Sequence, residues 1–567
     1  MCAALARSSS TVNTIGILLL GLAASAGAAR AQDAPAWTRG ATCYEVFVRS
    51  FQDSDGDGIG DLNGLTARLD YINDGNPRST RSLGARCLWL MPVAESPSYH
   101  GYDVTDYYRV AHDYGTNEDF ERLVAAAHKR GIKVLVDLVL NHTSNRHPHF
   151  LAALRDSTSS YRAWYRWSPT KLDRGTWGSE LWHKSPERDE YYYGLFSSSM
   201  PDLNYENPAV RDEANRVGRF WLDSMHVDGF RLDAVSFLVE HGAQIMHTRE
   251  THQVLHDFQQ SMRAARPDVY TVGEVTFPNA TLLSYYADQL TSYFAFEVAD
   301  SLIAAVRSGS ARGLLAPALQ LERDAPTGRW SPFLRNHDQP RTLTELGGDM
   351  ARARVAALLL LTMPGMPFVY YGEEIGMSGG KPDERIRTPM QWSSGHEAGF
   401  TPGTAWEQMQ GDSLTRTVSA EERDPSSLLA LYRRLIHLRA RCAALAAGAL
   451  VPLQASDDAV AAYLRRTDDG AVLIVANLSA KPLAGVSIES AAGALGAGRW
   501  RARDLLARTS PATLEIDGEG RVRQYIALPT LAPMQGHLFA LARTTRTAGA
   551  GSAPTRAPHI PRDACSD

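Results

Sequence analysis

Eight short apolar, β-rich runs, most of them separated by a segment of helical spacing, constrain the fold of this chain more than any other feature. They are Thr42–Val48, Arg86–Met91, Ile132–Leu138, Val227–Leu232, Val269–Val272, Tyr293–Glu297, Pro332–Leu334 and Pro367–Tyr371. The segment 119–130 is typical of what lies between them, with Phe120, Leu123, Val124 and Ala127 on one helical face. Alternating strands and helices imply parallel strands joined by right-handed crossovers. Eight such strands over about 400 residues predict an α/β chain folded as a (β/α)8 barrel with insertions.

The largest insertion, 143–206, follows the third strand. It is rich in Trp, Tyr, Ser and His and has no long apolar periodicity, which predicts an inserted domain over the open end of a barrel formed by 32–142 and 207–447. From 448 to 543 the texture becomes alternating, with Ala459–Arg466 and Ala471–Leu478 flanking Thr467-Asp-Asp-Gly470. That hairpin signature predicts a C-terminal antiparallel β-sandwich. Residues 544–567 are Ala, Gly, Thr, Pro and Arg without periodicity and are expected to be a disordered tail. At the other end, Arg7, the apolar run Ile15–Leu22 and Ala29-Arg30-Ala31 describe a secretory signal over 1–31, cleaved before Gln32. Its apolar core is shorter than the ~20 residues that a membrane-spanning helix needs. The mature chain is therefore expected to be exported, periplasmic or secreted, with no membrane partner.

Charge and cysteine use narrow the function classes. The 58 Lys and Arg against 63 Asp and Glu give a net charge of −5, with no basic patch for nucleic acid. Once Cys2 leaves with the signal, Cys43, Cys87, Cys442 and Cys565 allow three pairings. Cys43 with Cys87 on neighbouring strands, Cys565 reaching back to Cys442, and free thiols all remain open. No Cys-x-x-Cys pair supports a thiolate zinc site.

The polar residues gather at the ends of the predicted strands. Strand three ends in Asp137-Leu-Val-Leu-Asn141-His142, strand four in Arg231-Leu-Asp233, strand five in Gly273-Glu274 and strand seven in Asn336-His337-Asp338. Such strand ends face one cleft, where barrel enzymes place catalysis. Three acids converging there suit the opening of a glycosidic acetal through an oxocarbenium-like transition state. Arg231 shares a strand face with Asp233, two residues on, and would hold it ionised as nucleophile. Glu274, after an apolar strand, would stay protonated as acid and then act as base. Asp338 would orient sugar hydroxyls, with His142 and His337 as neutral donors.

These residues, in this order, resemble the α-amylase superfamily of retaining glycoside hydrolases across about Trp37 to Leu541. The resemblance implies Asp233 as nucleophile, Glu274 as acid/base, Asp338 as transition-state stabiliser, and His142, Arg231 and His337 around the sugar next to the cleaved bond. It makes Tyr102, in His100-Gly-Tyr-Asp103, a stacking aromatic for that sugar. Met200-Pro-Asp-Leu-Asn204 is similar to a form intermediate between the oligo-1,6-glucosidase and neopullulanase branches. Arg387-Thr-Pro-Met-Gln-Trp392 is similar to the oligosaccharide-acting branch, where the matching Arg pairs with the match of Asp103 and closes the non-reducing end. Ala234, in place of the Val usual in α-1,6-specific members, implies α-1,4 bonds. The implied activity is hydrolysis of α-1,4 bonds in maltooligosaccharides or starch-derived glucans. Glucosyl transfer, or maltose isomerisation as in the similar trehalose synthases, is the alternative. A non-catalytic transporter-associated relative is a remote one, since all three acids are present.

Asp53-Ser-Asp55-Gly-Asp57-Gly-Ile59-Gly-Asp61 resembles the first nine positions of a calcium loop. Alternate carboxylates and the Ile59 carbonyl can converge on a hard cation while Gly58 permits the turn. Gly64 stands where a full EF-hand has Glu, and the same loop binds calcium in relatives of the oligo-1,6-glucosidase branch. A structural Ca2+ on Asp53, Asp55, Asp57, Ile59 and Asp61 is the expectation, with Asn141 a weaker candidate for a second site.

Overall fold

The protein is described from a computed structural model covering residues 34–172, 180–286, 288–544 and Cys565. The expected signal segment, and the expected tail apart from Thr544 and Cys565, lie outside the described residues. Eight parallel strands follow one another along the chain: β1 (Cys43–Val46), β2 (Cys87–Leu90), β3 (Lys133–Leu138), β4 (Gly229–Leu232), β5 (Tyr270–Gly273), β6 (Ser292–Phe294), β7 (Trp330–Ser331) and β8 (Phe368–Tyr370). Their order in the sheet is β7-β6-β5-β4-β3-β2-β1-β8. Where β8 meets the end of β7, the Phe368 N–H donates to the Pro332 carbonyl at 2.9 Å, which brings the sheet round into a barrel. Every residue of these strands except Lys133 is buried. That is the signature of a parallel sheet covered on both faces, and it explains why the runs read as continuously apolar.

Two of the predicted runs shift. The sixth strand stops at Phe294, because a helix begins at Phe296. The seventh is Trp330–Ser331 rather than Pro332–Leu334. Proline has no N–H to give to a ladder, so the strand ends before it while its carbonyl still accepts. Gly229 is required where it stands, since a Cβ there would lie 1.8 Å from the Tyr270 carbonyl oxygen of β5.

The helix expected between the second and third strands is α1 (Asn117–Lys129). Thr116 caps it with Asp119 in a reciprocal capping box, and Phe120, Leu123, Val124 and Ala127 are buried. In the insert, α2 (Pro148–Arg155) precedes a small antiparallel sheet of Trp167–Ser168, Tyr191–Tyr193 and Trp182–Lys184. The chain rejoins the barrel at α3 (Pro208–Arg219). Among the described residues no helix is long and apolar enough to cross a membrane.

Six C-terminal strands, β9 (Ala449–Pro452), β10 (Val460–Arg466), β11 (Ala471–Asn477), β12 (Gly498–Asp504), β13 (Leu514–Ile516) and β14 (Gln535–Arg543), form an antiparallel sheet of order β9-β10-β11-β14-β12-β13. Its period-two alternation serves two cores. Val460, Ala462, Leu464, Leu473 and Val475 join a C-terminal cluster with Val486 and with Ile488 and Leu531 of two short ladders. Ala461, Tyr463, Val472, Ile474 and Ala476 face the main core with Leu358–Leu361 of the helix α4 (Met350–Thr362). The carbonyls at the end of α4 take up two buried guanidinium groups. Arg439, on α5 (Leu428–Arg441), donates to Leu361 at 3.0 Å and Met363 at 2.7 Å, and Arg465 of β10 donates to Thr362 at 2.6 Å. Cations at a helix C-terminus satisfy its orphan carbonyls and complement its dipole. Disulfides join Cys43 to Cys87, register partners on β1 and β2, and Cys442 to Cys565.

Gly229→Ala is expected to lower the melting temperature sharply, at the ~3 kcal/mol top of the overpacking range or beyond. Gly380→Ala, whose Cβ meets nothing within 4 Å, serves as the control and should leave thermal unfolding unchanged.

Candidate active site

Arg231 is the centre of the site. It stands on β4 opposite Asp137 of β3 and Val272 of β5, and only 1% of it is exposed. Its Nη1 donates to Asp137 Oδ1 at 2.9 Å and Oδ2 at 3.1 Å, and to Asp233 Oδ1 at 2.6 Å. Its Nη2 donates to Glu274 Oε2 at 2.6 Å. The guanidinium also lies 5.5 Å from the Trp89 ring centre and 5.7 Å from that of Tyr102, so its surroundings are carboxylate and aromatic with no room for water-like screening. Three acids share one cation. Burial pushes Glu274 up to about 7, helped by Asp233 and Asp338 and opposed by Arg231. Burial likewise raises Asp137 to about 7 against the pull of Arg231. A buried acid without a full counter-charge keeps its proton.

A second chain of contacts starts on β1. The Glu45 carboxylate meets His337 Nδ1 at 2.5 Å, and His337 Nε2 lies 2.6 Å from the Tyr102 hydroxyl, which donates to Asp137 Oδ2 at 3.1 Å. The Tyr102 and His337 rings are stacked, 14° from parallel. Burial lowers the His337 pKa, but Asp338 and Glu45 outweigh it and the net shift is upward, so His337 departs from the neutral donor expected of it. Burial shifts His142 down, and its Nε2 donates to the Tyr102 carbonyl at 3.1 Å, so the single proton of the neutral ring is already engaged. Burial also raises Asp338, but His337, Arg387 and Arg231 together hold it below the usual carboxylate range.

The expected Arg387–Asp103 pair does not form. Arg387 Nη2 donates to Asp338 Oδ1 at 2.9 Å and Asp383 Oδ2 at 3.4 Å. Asp103 Oδ1 accepts instead from the Ser96 hydroxyl at 2.7 Å and from Ser98. With two hydroxyl donors on its own loop, Asp103 has no need of the guanidinium, while Asp338 faces it directly. Asp233, Glu274, Asp338, Tyr102, His142 and Arg387 all line one cavity of about 400 Å³, whereas Arg231 and His337 stand behind its wall.

Of the expected calcium ligands, Asp53, Asp55 and Asp61 bring carboxylate oxygens within 4.8 Å of one another. The Asp57 carboxylate turns instead onto the Ile59 N–H, at 2.7 Å. Gly58 (φ +93) runs so close to Thr404 that a Cβ would lie 2.0 Å from its carbonyl oxygen. Asn141 donates to Asp202 Oδ2 at 3.0 Å.

Glu45, Asp383 and Phe196 belong to the site and were not singled out from the sequence, and Asp137, quoted at the end of strand three, was given no role. Glu45 and Asp137 carried a usable signal, an acid inside an otherwise apolar strand run. Phe196, in the insert, sits on no periodic segment. It is edge-on to His142 and Phe237 at the cavity wall. Ala234, just after Asp233, takes the left-handed conformation (φ 48, ψ 35), and its N–H points at Glu274 Oε2 at 3.3 Å. A non-glycine residue there is strained, and the strain serves to aim a donor at the acid.

A family model described as the catalytic domain of alpha amylase matches residues 45–448. Alpha-amylase 3 of Dictyoglomus thermophilum is 40% identical over 452 residues, which cover 78% of this chain and 85% of that protein. A trehalose synthase/amylase of Mycolicibacterium smegmatis is 36% identical over 513 residues, 79% of this chain and 85% of its own. The crystal structure of an alpha-amylase from H. orenii has a TM-score of 0.76 at 40% identity, covering 88% of this chain and 98% of that one.

Removing one partner from a buried ionic cluster leaves the others uncompensated, at about 3–5 kcal/mol. Arg231→Ala should therefore lower the melting temperature. Because the stranded Asp137 and Glu274 take up protons as the pH falls, the deficit against wild type should shrink between about pH 8 and about pH 5. Differential scanning calorimetry across that range reads both effects.

Proposed function

Because the chain belongs to the alpha-amylase family, we propose that it is a retaining glycoside hydrolase of α-1,4-linked maltooligosaccharides or starch-derived glucans. The observation that carries this reading is the single guanidinium fork holding Asp233 and Glu274, at 2.6 Å each. One guanidinium bonded to both carboxylates keeps them close to each other, which supports the short separation of a retaining pair. Asp233 Oδ attacks the anomeric carbon while Glu274 gives its proton to the departing glycosidic oxygen, leaving a covalent glucosyl-enzyme ester. Glu274, now ionised beside Arg231, then takes a proton from water as that water attacks the same carbon and frees Asp233. Burial supplies the protonated acid for the first half and Arg231 stabilises its anion in the second. Asp338 accepts from sugar hydroxyls, the Tyr102 ring stacks on the sugar, and neutral His142 lines the wall beside it with its proton on the Tyr102 carbonyl. Ala234 favours α-1,4 bonds.

A structural calcium on the loop 53–61 belongs to the same reading. The donor set is all oxygen, which suits a hard cation. Asp57 is shifted upward by burial, with Asp55 and Asp53 adding their like charges, and a divalent cation would relieve that crowding. Asp53, Asp55 and Asp61 would hold it, with the Ile59 carbonyl and a re-aimed Asp57 completing the set. The two disulfides support an exported chain, since such bonds persist in oxidising compartments.

With maltotriose, proton NMR should first show products of α configuration, and Asp233→Asn should be inert. A β product would overturn retention, and trehalose formed from maltose would move the activity to isomerisation. Glu274→Gln should lose about 10²–10⁴-fold in turnover. Wild-type kcat/KM should fall as pH rises through the Glu274 pKa of about 7, because the proton donor is lost. Chelation by EDTA should lower the melting temperature and added Ca2+ restore it, with Asp53→Asn unresponsive to both. A chelator-insensitive wild type would dispose of the metal.

A further inference from the structure

The insert carries more aromatic surface than the catalytic cavity uses. On its flank, between α2 and α3, lies a second cavity of about 400 Å³. The chain passes directly from one cavity to the other, His142 lining the catalytic one and Thr143 the second. We propose that this second cavity is a non-catalytic binding site for a neutral α-glucan chain, a secondary hold on the substrate whose other segment is cleaved next door. The proposal rests on the glucan reading of the catalytic site.

The walls argue for the ligand class. The His149 and Tyr161 rings are stacked, 3.8 Å apart and 12° from parallel, with Trp164 edge-on to both at 4.8 and 5.2 Å. Tyr161 and His149 are only half-buried, so the cluster offers the flat apolar faces onto which a sugar ring packs its C–H groups. Around it the imidazoles are uncharged and the one lining cation, Arg216, is already paired. Burial lowers the pKa of both imidazoles, His147 to about 3, so both remain neutral. Glu213 is held by Arg216 at 2.9 Å and by the Tyr108 hydroxyl at 2.8 Å. Asp106 spends one oxygen on the Tyr108 N–H and keeps the other for a donor. An anion finds no unbalanced cation in this cavity. A ring bearing hydroxyl groups finds aromatic faces, imidazole nitrogens and carboxylate acceptors together.

The cavity also lacks the means of cleavage. Among the residues that line it, the carboxylates are Asp106 and Glu213, and Glu213 is committed to an ion pair and a phenol. Neither has an arginine fork shared with a second acid, as Asp233 and Glu274 have. Binding without turnover is what remains.

The test is equilibrium dialysis of radiolabelled maltotriose, at saturation, against the full chain carrying Asp233→Asn. Two molecules per chain are expected, and one per chain once Tyr161→Ala is added. His149→Ala in place of Tyr161→Ala should give the same loss, which covers the case of one variant failing to fold. Tyr161→Ala alone should hydrolyse a chromogenic α-maltotrioside within about twofold of wild type, showing that the catalytic cavity is untouched. One molecule per chain in Asp233→Asn, unchanged by Tyr161→Ala and His149→Ala, overturns the second site and leaves the glucan reading standing. No maltotriose bound by any variant overturns both.

Discussion

A guanidinium with 1% exposure and three carboxylates within hydrogen-bonding reach is an expensive thing to bury, and the barrel is organised around it. Arg231 can be placed there because β4 runs between β3 and β5 in register, so that Asp137 stands beside it on one side and the chain beyond β5 presents Glu274 on the other. Shared among three acids, its charge cannot ionise all of them fully. The cluster therefore contains both an anion and a retained proton at neutral pH, the two states that general acid and nucleophile need at once. Stability and reactivity meet in this one side chain.

The rest of the site extends that logic outward to solvent. Glu45 and Asp338 pull His337 toward its charged form, and His337 in turn touches Tyr102, which touches Asp137. An unbroken chain of contacts thereby runs from Glu45 on β1 to Asp137 on β3 through a stacked phenol. Arg387 adds a second guanidinium on Asp338 from the far loop. An entering sugar meets Asp338 already engaged and must compete for it with its own hydroxyls.

Much of this was legible in the sequence, for a physical reason. A parallel strand buried on both faces tolerates polar residues only near its end, so Asp233, Glu274 and Asp338 announced themselves as acids following apolar runs. The same rule, applied inside the runs, would have picked out Glu45 and given Asp137 a role. What the sequence withheld was partner choice. Arg387 could reach several acids, and local hydroxyls from Ser96 and Ser98, invisible to any periodicity, satisfied Asp103 and left Asp338 to take the guanidinium. The cysteine pairing was likewise open until β1 and β2 were seen to set Cys43 beside Cys87. The seventh strand was placed beyond its proline because hydrophobicity alone cannot tell a paired residue from one that has only a carbonyl to offer. The insert was recognisable as a separate texture, while the inward reach of Phe196 was not.

The C-terminal sheet is an outer wall of the barrel's own core, since alternate residues of β10 and β11 pack there beside α4. Its Arg465 also closes the end of that helix. The change of texture near residue 448 is thus a seam in composition and not in folding. A gene cut at that point would release a barrel with one apolar flank bare and helix carbonyls unanswered. In recombination between relatives, the two parts are inheritable only as a pair, and chimeras that respect the contact across this wall are the ones with a folded product.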